Sequence, residues 1–213
     1  MKPLDCVPPA LLHAIRHGVD TSASGLARMS CLSCQLETTS IETFSLERFR
    51  GGLAASPTVY SSVRFSIPGG LFVALFSTPN AAALADAFLK HGTEKRVQSA
   101  LTPAAIAEIS NILVNAVVNS LGDAAGSGFL LSAPEAVQDT KANILDQAME
   151  RFKICGRQGE IRCHDGAFLR FADSDAYFTI INYLHLSSPI LPVTCNVFIL
   201  LNALWGNAVP AAD

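Results

Sequence analysis

Apolar residues near the start of the chain recur at helical spacing. Leu11, Leu12, Ile15, Val19, Leu26 and Met29 predict a helix over residues 10–30, with Gly18 and Gly25 as weak points inside it. Residues 35–50 read as a polar stretch. Val59, Val63, Phe65 and Ile67 then suggest a strand, Pro68-Gly69-Gly70 a turn, and residues 71–76 an unbroken apolar run of strand length, so the two runs predict a hairpin. Ser77-Thr78-Pro79-Asn80 opens a helix with Asn80 as its N-cap, continuing through an alanine-rich segment to Leu89. Thr102-Pro103 opens the next helix, which runs to about Leu121 and meets a glycine-rich loop over residues 122–128. A short helix over 139–152 is followed by four strand-like segments, at 160–163, 167–171, 177–186 and 193–201.

The element order runs roughly twice, with no proline- or serine-rich linker between the passes. Residues 1–213 therefore predict one domain of two similar halves, about 1–98 and about 99–205, with long helices packed on an antiparallel sheet. That arrangement is α+β.

The segment after Pro103 departs from ordinary amphipathic patterning. At about 100° per residue, Glu108, Asn111, Asn115 and Asn119 fall within about 80° of arc. Ile109, Leu113, Ala116 and Ser120 lie opposite, with Ile106 and Val117 beside them. A solvated helix face ordinarily uses Glu, Lys, Gln or Arg, which hold a helix better than asparagine. Asparagine competes for backbone hydrogen bonds, so three of them at helical spacing cost stability and point to a site.

Composition narrows the field. Of 213 residues, 50% are hydrophobic and only 15% charged, which excludes disorder. A net charge of −3, with scattered lysines and arginines, argues against nucleic-acid binding. The apolar runs at 70–76 and 193–205 are too short or too interrupted to span a membrane, and the N-terminus carries Asp5 and Pro8-Pro9 where a signal peptide needs an apolar stretch. The expected location is cytoplasmic. Six irregularly spaced cysteines suit that compartment. Cys31 and Cys34 could form half of a zinc site with Cys155, Cys163 and His164, but the second half lacks knuckle spacing, and no metal site is expected. The loop at 122–128 follows a helix C-terminus, where the dipole disfavours anions, and reads as a C-cap rather than a phosphate cradle.

Glu108-x-x-Asn111, a spacer over residues 112–133 and then Pro134 resemble the signature of the CheC/CheX/FliY chemotaxis phosphatases. In that family the signature is Asp or Ser, three residues, Glu, two residues, Asn, a spacer of this length, and Pro. The surrounding AEISNILVNAVVNSLG is similar to the family's E-I-x-N-I helix, and the layout of halves, hairpin and following helix extends the resemblance over most of the chain. Ala104 stands where the family's leading Asp or Ser would fall. The second motif copy carried by CheC proteins on the first-half helix would fall on His13 and Arg16, so that copy is lost.

The resemblance implies a CheC-like fold and hydrolysis of the phosphoaspartate of a CheY-type response regulator. Asn111 would position the attacking water. Glu108 would accept a charge-assisted bond from the regulator's lysine, Asn115 would contact the partner, and Pro134 would shape the chain after the helix. The residues suit such chemistry, because a carboxamide both donates and accepts hydrogen bonds. No cofactor is implied in this chain, since Mg²⁺ would sit on the regulator, and a homodimer is compatible with the same fold. The alternative is a non-catalytic binding module of that fold in chemotaxis or flagellar switch signalling.

Overall fold

A computed structural model describes residues 9–30, 35–44, 57–89, 95–155, 160–162, 168–170, 177–187 and 193–202. The elements in chain order are helix α1 (Pro9–Ser30), strands β1 (Gln35–Phe44), β2 (Val59–Ile67) and β3 (Gly70–Ser77), helix α2 (Thr78–Phe88), helix α3 (Lys95–Ala125), strand β4 (Glu135–Thr140), helix α4 (Lys141–Cys155), and strands β5 (Glu160–Arg162), β6 (Phe168–Arg170), β7 (Tyr177–Ser187) and β8 (Val193–Asn202). Six strands form one antiparallel sheet in the order β1-β7-β8-β3-β2-β4, and β5 pairs with β6 separately. The architecture is α+β, as the patterning predicts.

The sheet order explains how the chain is interleaved. The sequence of helix, edge strand, inner strand and central strand runs as α1-β1-β2-β3 and again as α3-β4-β7-β8. β1 pairs with β7 of the later set, and β4 pairs with β2 of the earlier one, while β3 and β8 meet at the centre.

The central strands are apolar throughout because both faces of the sheet are covered. Phe72, Ala74 and Phe76 of β3, with Val197, Ile199 and Leu201 of β8, pack into a core shared with α1, α2 and α3. The intervening Leu71, Val73, Leu75, Phe198 and Leu200 pack against Ile144, Leu145, Ala148, Met149 and Phe152 of α4. Period-two alternation thus serves two cores at once. Each fully buried Phe or Leu contributes about 1.5–3 kcal/mol to folding. Gly69, at φ 64°, supplies the left-handed residue of the β2–β3 turn, which joins Ile67 to Gly70 in register.

The outer strands are polar. β1, QLETTSIETF, lies in the stretch that the patterning leaves without an element, and β4, EAVQDT, is likewise absent from it. Both sit at sheet edges, where one side of the strand meets no neighbour and an apolar pattern is not required.

Three helix boundaries differ from expectation. Helix α2 is capped by Ser77, whose side chain accepts from the Asn80 backbone N–H at 3.4 Å, with Pro79 in the first turn; Asn80 is therefore inside the helix. Helix α3 begins at Lys95, not at Thr102-Pro103, and continues to Ala125. Pro103 sits inside it without an N–H to offer the turn before it. Helix α4 starts behind Thr140, whose hydroxyl accepts from the Asn143 N–H at 3.3 Å.

The glycines of α1 are packing residues rather than weak points. A Cβ on Gly18 would lie 2.5 Å from the Val117 Cα and 2.9 Å from the Ala116 carbonyl oxygen, so α1 and α3 approach backbone to backbone there. At Gly25 the nearest atom is the Ile112 Cγ2, at 3.0 Å. Leu11, Ile15, Val19 and Leu26 are buried as the helical period predicts.

Candidate functional site

Helix α3 is held from three sides and offers the fourth. Ile106, Ile109, Leu113, Val114, Val117, Val118 and Leu121 are all buried, packed in the core with α1 and the sheet. The segment Leu101–Ala125 is long and apolar enough, by length and composition, to cross a membrane, which the reading of shorter apolar runs does not bring out. In the fold most of its large apolar side chains, from Ile106 to Leu121, are core contacts, while Leu101 is exposed. Ala116, expected on the buried side, is only half-buried; Ser110 is fully buried, and its hydroxyl has no hydrogen-bond partner.

The opposite face carries the asparagine stripe. Glu108 and Asn119 are exposed, and Asn111 and Asn115 are half-buried between them. Ile112 lies just beside this arc and is half-buried, with its Cγ2 turned to Gly25 of α1, so one edge of the stripe borders α1. Glu108 and Asn111 stand one turn apart on a face that solvent reaches. The Asn115 Nδ2–H donates to the Asn111 Oδ1 at 2.7 Å, tying these two carboxamides into a pair. Sequence spacing put the two side chains on one face, but neither the bond nor its direction follows from spacing.

Pro134 stands apart from the helix stripe. It is exposed, one residue before β4, beyond a loop clamped to β2 by two bonds. The Ser132 N–H donates to the Ser66 carbonyl at 3.0 Å, and the Ser66 N–H donates to the Ser132 hydroxyl at 2.9 Å.

Two cavities flank α3. A groove of about 310 Å³ separates Thr102, Pro103 and Ile106 from Ser61–Val63 of β2 and Ala136–Gln138 of β4. A second cavity, of about 420 Å³, continues the asparagine stripe beyond Asn119 and is lined by Gly122, Asp123, Ser127 and Phe129. The helix ends there in a Schellman arrangement. The Ser127 N–H donates to the Gly122 carbonyl at 2.8 Å, the Gly126 N–H donates to the Asp123 carbonyl at 3.1 Å, and Gly126 has φ 65°. The glycine-rich loop is thus a C-cap, as its position after the helix predicts.

On α1, the positions where a first motif copy would fall are His13 and Arg16. Both are exposed, and His17, Asp20 and Arg28 continue the same charged face. Among the described residues no cluster of His, Cys, Asp or Glu is arranged to hold a metal ion. Cys6, Cys31, Cys34, Cys163 and His164 lie outside the described residues. Cys195 is buried in the core, and burial pushes its thiol pKa up to about 12. On the other face of the sheet, Glu135 pairs with both Arg64 and Arg151, and the Lys141 ammonium lies 5.6 Å from the centre of the Phe198 ring. Desolvation lowers the Lys141 pKa.

No protein-family model matches the chain, and no curated protein matches it. Solved structures do. Thermotoga maritima FliY superposes with a TM-score of 0.59 at 11% identity, over 97% of this chain and 93% of that one. The FliM middle domain from H. pylori gives 0.53 at 12% identity, over 95% of this chain and 98% of that one. The matching chain of an H. pylori FliG–FliM complex gives 0.53 at 13% identity, over 95% of this chain and 100% of that one. The chain therefore has the fold of FliY and of the FliM middle domain, in agreement with the CheC-like fold that the sequence resemblance implies.

Proposed function

We propose that this chain is a CheC-like phosphatase that hydrolyses the phosphoaspartate of a CheY-type response regulator in the cytoplasm. The observation that carries this proposal is the stripe itself: Glu108 exposed and Asn111 solvent-reached, one turn apart on a helix whose other faces are fixed in the core. Had either side chain been buried against another element, a protein substrate could not reach it.

The chemistry asks little of the chain. An acyl phosphate is already activated, and the regulator brings its own Mg²⁺ and lysine. What remains is to hold a water in line with the phosphorus while the bond from phosphorus to the aspartate oxygen breaks, yielding inorganic phosphate and a free carboxylate. Phosphoryl transfer of this kind is governed by positioning and electrostatics. The Asn111 carboxamide holds the water, and Glu108 accepts the regulator's lysine as a charge-assisted bond. The rigidity of α3, anchored by Ile109, Leu113 and Val117, keeps the two groups at fixed separation.

Phosphate release from purified phosphorylated regulators of the same organism tests the proposal. Accelerated release by the wild-type chain, lost on Asn111→Ala, supports it.

The second reading is a non-catalytic binding module. It draws on the fold likeness to a FliM middle domain and to a chain of a FliG–FliM complex, and on His13 and Arg16 standing where a first motif copy would be. Stable association with a regulator or switch protein, without faster phosphate release, would favour it.

A further inference from the structure

We propose that Asn115 is a positioning residue that sets which way the Asn111 carboxamide faces the substrate. This rests on the assignment of Asn111 as the water-holding group and extends it to a residue that touches neither water nor phosphate.

The two ends of an asparagine carboxamide are nearly the same size and opposite in hydrogen-bond sense. Its terminal torsion is broad and roughly two-fold, so an unrestrained surface asparagine presents either end. A water attacking phosphorus must aim a lone pair at it, which turns the water's hydrogens towards acceptors. A carbonyl oxygen beside that water orients it for attack, whereas an N–H donating to the attacking lone pair opposes it. Asn111 therefore works in one orientation only.

Asn115, one turn along α3, donates its Nδ2–H to the Asn111 Oδ1 at 2.7 Å. The bond fixes Oδ1 on the side facing Asn115 and leaves that oxygen its second lone pair for the water. Turning the Asn111 amide over alone would bring Nδ2 against Nδ2, donor against donor, so the pair couples the two carboxamides and they reverse only together. Both side chains are half-buried, which lowers competition from solvent and strengthens the restraint. The restraint also accounts for asparagine at this position, where alanine, glutamate or lysine would support the helix better.

Three substitutions separate positioning from partner contact. Asn115→Ala removes the donor and improves helix propensity, so the fold is retained. It is expected to lower kcat for phosphate release about five-fold, the scale of one hydrogen bond, with KM for the regulator unchanged. Asn115→Asp presents only acceptors, draws the Asn111 Nδ2–H towards itself and holds the amide reversed, so its kcat falls further than that of Asn115→Ala. Asn115→Gln keeps an amide donor at a spacing where such pairs form, and recovers most of the wild-type kcat. The side-chain amide resonances of Asn111 in a nitrogen–proton correlation spectrum shift in the alanine variant.

An unchanged kcat in Asn115→Ala, or a raised KM with kcat intact, overturns the positioning role while leaving the phosphatase proposal standing. So does an aspartate variant as active as wild type. A wild-type chain inactive on every regulator overturns the phosphatase proposal itself, and the positioning role falls with it.

Discussion

Replacing Gly18 with alanine puts a methyl carbon 2.5 Å from the Val117 Cα, 2.9 Å from the Val117 nitrogen and 2.9 Å from the Ala116 carbonyl oxygen. All three are backbone atoms of α3, so no rotamer change relieves the clash. An ordinary carbon–carbon contact is about 3.5–4.0 Å, so α1 must withdraw by about 1 Å, and a gap of that size forfeits up to about half of each dispersion contact along the interface. Ile15, Val19, Leu113 and Val117 share the core that would open. Overpacking of this kind costs about 1–3 kcal/mol, and the immovable backbone places Gly18→Ala towards the upper end of that range. Alanine in a helix interior returns about 1 kcal/mol relative to glycine. Gly25→Ala gains the same propensity but meets only the Ile112 Cγ2 at 3.0 Å, a side-chain atom that can move. The difference between the two variants thus isolates the close approach, and about 2 kcal/mol is expected. For a chain of this size that corresponds to about 4–8 °C in Tm. Parallel urea and thermal unfolding of the two variants measures it. Gly18→Ala as stable as Gly25→Ala, with an unchanged urea slope, would refute the backbone-to-backbone packing of α1 on α3.

Other outcomes follow from the same structure. Phe152→Ala empties the centre of the core between α4 and the sheet and is expected to cost about 3–5 kcal/mol by denaturant unfolding, while the helix stripe on the far face keeps its exposure. The Cys195 thiol, buried and with its pKa pushed up to about 12, should resist iodoacetamide at pH 8 in the native state and react once the chain is unfolded, as followed by peptide mass spectrometry. Glu108→Ala is expected to raise KM for the phosphorylated regulator about ten-fold, the scale of a bond to a charged group, with a smaller change in kcat; an unaltered KM would remove Glu108 from the docking surface.

The central sheet and the polar stripe were legible in the sequence because burial imposes periodicity. β3 reads as an unbroken apolar run because Phe72 and Val73 face different cores, and α1 reads as a helix because Leu11, Ile15 and Val19 share one face. The stripe of Glu108, Asn111, Asn115 and Asn119 stands out because asparagine at helical spacing is costly. What stayed hidden was set by contacts that leave no periodic trace. β1 and β4 lie at sheet edges, where one-sided pairing permits polar sequences. The extension of α3 back to Lys95 runs through a proline that ordinarily marks a first turn. Gly18 reads as a defect until Val117 is seen against it. The Asn115–Asn111 bond depends on side-chain torsions, which spacing does not determine.

The central claim is that Asn111 holds the attacking water for phosphoaspartate hydrolysis. Its most direct test is the rate of phosphate release from a phosphorylated CheY-type regulator with the wild-type chain and with Asn111→Ala, the two proteins matched for fold by circular dichroism. The account predicts acceleration by the wild type and a fall of about 100-fold in the variant, the scale of a misplaced reacting group. Equal acceleration by both proteins would contradict it.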